Sequence, residues 1–130
     1  EEDAFIKYTW RESDPLPTSI RSIGDWSGDG VAEVAVGVGT GSSGAGEVWV
    51  FSSEDGEGEF ASADAWAMAE GQNDPEEGLH QVAFGRTIGD RAADYDGDGK
   101  YDFVVSDHRW GDGAGATGTA GRVDLSFGQY

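Results

Sequence analysis

The stretch DYDGDGKYDFVVSD, residues 94–107, carries an acid at every second position, meets a glycine, and then runs into a β-branched segment. Asp94, Asp96 and Asp98 crowd three negative charges together, and Asp102 follows four positions later. Like charges this close repel, so a folded chain keeps them either on a solvated turn or around a cation. A second stretch, DWSGDGVAEVAVGVG at residues 25–39, matches the first in register. Both lead through a glycine-rich stretch into a strand-like segment that opens on glycine, GEVWVF from Gly46 and GRVDLSF from Gly121. Matching at a fixed period points to a repeated structural unit.

Working outward, DAFIKYTW from Asp3 resembles DAWAMAE from Asp64, and Asp14-Pro15 aligns with Asp74-Pro75. The chain therefore reads as a single all-β domain over 1–130, made of two repeats, 3–62 and 63–130. The alanines and methionine of ASADAWAMAE favour helix by intrinsic propensity, but the counterpart AFIKYTW reads as strand, so the repeat predicts strand here. Elsewhere short alternating or β-branched runs sit between glycine clusters, the pattern of an all-β chain. Trp49 and Trp66, inside such runs, are expected in the core.

With 26 acidic and 8 basic residues the formal charge is −18. Phosphate backbones would be repelled, so nucleic acid is not an expected partner. The balance suits divalent cations, a high-salt milieu, or both. Five tryptophans, six phenylalanines and four tyrosines argue against the disorder that such a charge otherwise implies. No apolar run approaches the length of a membrane span.

The acidic loops have the chemistry of a hard-cation site. Such cations take several oxygen ligands at once, and alternate positions of a tight loop can all face inward. In the second loop the candidate ligands are the side chains of Asp94, Asp96 and Asp98, the carbonyl of Lys100, and Asp102, with Gly99 allowing the sharp turn. In the first, the same roles fall to Asp25, Ser27, Asp29, the carbonyl of Val31, and Glu33. An EF-hand would need a bidentate glutamate at the twelfth position, where Val36 and Val105 stand. Zinc would favour cysteine or histidine, and the chain has no cysteine and two histidines. The oxygen-only sets favour Ca2+ over Mg2+, at two sites. Four carboxylates in the second loop, against three and a hydroxyl in the first, predict tighter binding at the second.

The acidic loop, a strand such as EVAVGVG, a glycine-rich turn and a G-x-V-x-V-F segment together resemble the FG-GAP repeat. That repeat is known from the integrin alpha-subunit β-propeller and from many extracellular bacterial and archaeal proteins. FGRTIGDRAADYDGDGKYDFVVSD from Phe84 carries the resemblance best, including the Phe84-Gly85 pair. The first unit departs from it, with Pro15-Leu16 near that place and Ser27 and Glu33 in place of aspartates. The resemblance implies four-stranded antiparallel blades with the calcium loop between the first two strands. Strands are then expected near 18–23, 31–38, 46–53 and 63–70, and near 82–89, 101–106 and 121–127. AFIKYTW is left as a spare strand, expected to complete the second blade within the chain or in a neighbouring copy.

The expected function is that of an extracellular or cell-surface, calcium-binding structural subunit that self-assembles head-to-tail, by strand exchange, into a filament or ring. The alternative is an adhesion module that binds carbohydrate or protein, with His108, Arg109 and Trp110 as candidate ligand contacts. An enzyme is not expected, because neither His80 nor His108 has a Ser or Cys motif nearby.

Overall fold

The computed structural model describes residues 15–39, 46–52, 62–71, 84–107, 122–126 and 128. The first sheet contains β1 (Ser19–Gly24), β2 (Glu33–Val38), β3 (Glu47–Ser52) and β4 (Ala67–Glu70), in that spatial order and antiparallel throughout. The second contains β5 (Thr87–Ile88), β6 (Phe103–Asp107) and β7 (Arg122–Ser126), again in chain order and antiparallel. Among the described residues there is no α-helix, and neither sheet closes on itself. The all-β expectation is met. The expected N-terminal strand lies outside the described residues.

Each sheet is a meander, and the acidic loops connect its first two strands: residues 25–32 between β1 and β2, and 89–102 between β5 and β6. β2 and β3 are almost continuously buried, which is why EVAVGV and EVWVFS read as apolar runs more than as alternation. The segment with helical composition is strand, as the repeat predicts. Ala67, Met68 and Ala69 pair with Val50, Trp49 and Val48, so ladder pairing overrides a propensity worth a few tenths of a kcal/mol per residue. A single 3-10 turn at Ser62–Asp64 precedes it. Trp66 is exposed, contrary to expectation. It sits one residue ahead of the edge strand β4, where its N–H donates to the Val50 carbonyl at 2.8 Å while the side chain stays about half exposed.

The two sheets share a core. Ile23, Trp26, Ala35, Val48 and Val50 pack with Ile88, Phe103 and Val105. The Trp26 and Phe103 rings meet edge to face, with centroids 6.4 Å apart and planes at 62°, the arrangement that aromatic quadrupoles favour. The opposite face of the first sheet gathers a second cluster of Val36, Val38, Trp49 and Phe51.

Phe84-Gly85 fastens one sheet to the other by close backbone approach. Phe84 forms a parallel bridge to Gly46, and Ser19 Oγ donates to the Gly85 carbonyl at 2.8 Å. A β-carbon on Gly37 would overlap the Gly85 carbonyl oxygen, and one on Gly85, at φ 77°, would overlap that of Glu47. These glycines let main chain meet main chain with no side chain between. Gly37→Ala should therefore destabilise the fold by about 2 kcal/mol or more, read as a lower urea midpoint. Gly89→Ala is the control, since its β-carbon would meet nothing nearer than 3.5 Å.

Candidate metal centres

The acidic loops share one backbone conformation, position for position. The fourth residue is a glycine at φ 82° in one and 83° in the other (Gly28, Gly97), and the sixth a glycine at 95° and 92° (Gly30, Gly99). These left-handed values are open to glycine at little steric cost. They aim main-chain N–H groups back at the first residue. Gly28 and Gly30 donate to Asp25 Oδ1 and Oδ2 at 2.7 and 2.9 Å, and Gly97 and Gly99 donate to Asp94 Oδ1 and Oδ2 at 2.6 and 3.0 Å. Val31 N donates to Asp29 Oδ1 at 2.8 Å, and Lys100 N donates to Asp98 Oδ1 at 2.9 Å, each an Asx turn that sets the seventh residue. At the third position Asp96 Oδ1 accepts from Asp98 N at 3.0 Å, while the Ser27 hydroxyl accepts from Asp29 N at 3.4 Å.

The ninth position is the buried anchor. Glu33 and Asp102 are both fully buried at the point where loop becomes strand. Glu33 Oε2 accepts from Trp26 N at 2.7 Å and Ser27 N at 2.9 Å. Asp102 Oδ2 accepts from Tyr95 N at 2.7 Å, and its Oδ1 from Gly128 N at 2.7 Å. Each acid thus ties the end of its loop to the second residue. Burial pushes the Glu33 carboxyl above its ordinary value; the Ser27 and Trp26 N–H groups oppose this, and the negative charges of Asp29 and Asp25 add to it.

Two acidic groups result, each able to hold a metal ion. Asp25, Asp29 and Glu33 bring one carboxylate oxygen apiece within 4.8 Å of one another, and so do Asp94, Asp96 and Asp102. Asp98 stands outside the second group, engaged with Lys100 N. Ser27 lies within the first loop, where its hydroxyl reaches Glu33 Oε1 at 3.4 Å. His108, Arg109 and Trp110 lie outside the described residues.

The loops also touch each other, which sequence reading did not foresee. Tyr101 N donates to the Asp25 carbonyl at 3.1 Å. The Lys100 side chain is buried and runs over the first loop, such that a β-carbon on Gly28 would come within 3.2 Å of its Cε. Lysine among glycines and aspartates reads as a solvated charge; only the fold brings Gly28 beneath it. Trp26 is the other unforeseen participant, its amide held by the site and its ring in the shared core.

No family model matches the chain, and no curated protein matches it as a relative.

Two outcomes follow for solution work. Glu33, with its folded value raised, favours folding below its unfolded value of 4.5, and that contribution is lost as pH rises through the folded value. The metal-free protein should lose stability over this rise, and Glu33→Gln should flatten the dependence in pH-resolved urea melts. Titration calorimetry of Asp25→Asn and Asp94→Asn should leave the tighter Ca2+ event in the former, whose intact loop holds more carboxylates.

Proposed function

We propose that this chain is a calcium-binding structural β module of FG-GAP type, with one ion in each acidic loop. The observation that carries the reading is the position-by-position agreement of two loops far apart in sequence, in both glycine conformation and carboxylate hydrogen bonding. A solvated turn has no need to repeat such detail. The donors support calcium: they are oxygens only, several are charged, and the loop is preshaped by its own amides. Two meanders joined face to face, with the loops between their first and second strands, agree with blades of a propeller-like assembly.

In this reading the ions act on stability and not on a substrate. Each neutralises carboxylates that otherwise repel, and each braces a strand start that feeds the common core. Calcium concentrations outside cells suit exposed loops of this kind, so the module works at the cell surface or beyond it. Copies associate head-to-tail, and the ions stiffen each copy for that role.

Ligand binding to the folded state alone adds about 2.7 kcal/mol per site when the free ion is 100-fold above its Kd. Chelation should therefore lower Tm by on the order of 10 °C, and Ca2+ should restore it where equimolar Mg2+ does not. A Tm that ignores both chelator and Ca2+ would end the metal reading.

A further inference from the structure

We propose, resting on the metal reading above, that the two acidic loops bind Ca2+ cooperatively, coupled by a junction of Lys100, Tyr101 and Gly128 with the first loop.

The junction lies where the two repeats differ. The loops agree at most ligand positions, but Lys100-Tyr101 in the second stands where the first has Val31-Ala32. The larger pair is turned onto the first loop. The Tyr101 ring lies over Gly24, where a β-carbon would come within 2.6 Å of Tyr101 Cγ. Its amide donates to the Asp25 carbonyl at 3.1 Å. The buried Lys100 stem covers Gly28, whose φ of 82° already belongs to the ligand-shaping turn. Residues 24–28 therefore rest on residues 100–101.

Gly128 bears on both loops from outside them. Its amide donates to Asp102 Oδ1 at 2.7 Å, at the ninth position of the second loop. A β-carbon on it would come within 2.6 Å of Lys100 Cβ, and within 3.0 and 3.1 Å of the Trp26 and Tyr101 carbonyl oxygens. Main chain from the first loop, the second loop and the segment after β7 thus meets with no side chain between.

This junction is built from the backbone of the candidate ligands themselves. Tyr101 sits between Lys100, which offers its carbonyl, and Asp102, which offers its carboxylate. An ion in the second loop fixes residues 100–102, and through the Tyr101 amide it fixes the main chain of Asp25. Asp25 is the first ligand residue of the other loop. An ion arriving there meets a loop already placed, so less order remains to be imposed and binding is tighter. Linkage makes the benefit mutual and equal in both directions. Repulsion between the ions opposes this, but the loops carry more carboxylates than two Ca2+ ions neutralise. Physiological salt also screens exposed charges beyond about 8 Å. Shared ordering prevails.

Titration calorimetry in physiological salt tests the coupling. Asp29→Asn and Asp96→Asn each remove one charge but keep the Oδ1 that accepts from Val31 N or Asp98 N. Each variant weakens one loop and isolates the other. The product of the two Kd values in the unaltered chain should lie about fivefold or more below the product for the two isolated loops. Gly128→Ala, whose methyl group pries the junction without altering a ligand, should bring the products together. Lys100→Ala, which uncovers Gly28 and keeps the carbonyl, should do the same and serves if the first variant does not fold. In Asp96→Asn, Ca2+ filling the first loop should slow hydrogen exchange at the Tyr101 amide, which belongs to the other loop. Equal products in the unaltered chain, or a Tyr101 amide indifferent to that ion, overturn the coupling and leave the calcium reading standing. Coupling that survives both junction variants overturns the junction as its carrier. A chain that binds no Ca2+ overturns both the metal reading and the coupling.

Discussion

The shape of each acidic loop, and the start of the strand that follows it, depend on a buried carboxylate at the loop's ninth position. Glu33 and Asp102 are fully buried where loop turns into strand, and burying a charge is costly unless it is satisfied. The main chain supplies the satisfaction. Trp26 and Ser27 amides face Glu33, and Tyr95 and Gly128 amides face Asp102. These bonds close the loop on itself and fix the entry of β2 and β6. In the first loop they also hold the backbone of Trp26, whose ring is then set against Phe103 across the sheet–sheet core. Charge, loop shape and core packing are therefore one arrangement.

Amides alone leave that arrangement charged. Asp25 and Asp29 stand close to Glu33, and Asp94 and Asp96 close to Asp102. Their repulsion adds to the burial that raises Glu33. A cation removes the conflict at its source, since it favours the charged form of every carboxylate around it. The Asx turns and left-handed glycines shape each loop from within, with bonds made by its own amides. Little conformational entropy then remains to be lost on binding.

Strands and loops were readable in advance for a physical reason: each depends on local pattern. β-branched runs bounded by glycine fall close to the observed strands, although β5 is only Thr87–Ile88 where a longer strand was expected near 82–89. The loop glycines announce themselves because left-handed backbone admits few other residues. The helix-like composition around Met68 was resolved by its repeat partner and not by propensity. What could not be read depends on three-dimensional neighbours. Gly37 lies in an apolar run, and nothing local says that the Gly85 carbonyl will sit against it. Trp66 looks like a core residue until the sheet edge is known. Nothing local says that the Lys100 side chain is buried, because its cover follows from the meeting of two loops.

The difference between glutamate and aspartate at the ninth position shows how one design is fitted to two settings. The longer Glu33 side chain lets a single oxygen accept from two successive amides of its own loop, Trp26 and Ser27. Asp102 is one methylene shorter and takes one amide from its own loop, Tyr95. Its other oxygen turns to Gly128, beyond β7. A β-carbon on Gly128 would crowd Lys100 Cβ and the carbonyls of Trp26 and Tyr101. The residue that completes the second loop is therefore wedged against the first as well. The Tyr101 amide bonded to the Asp25 carbonyl closes the same junction from the other side. The second loop is thus held from outside by two chain segments, the first loop and Gly128. The backbone of Asp25 and the backbone beside Asp102 share a hydrogen bond, so the two loops meet main chain to main chain.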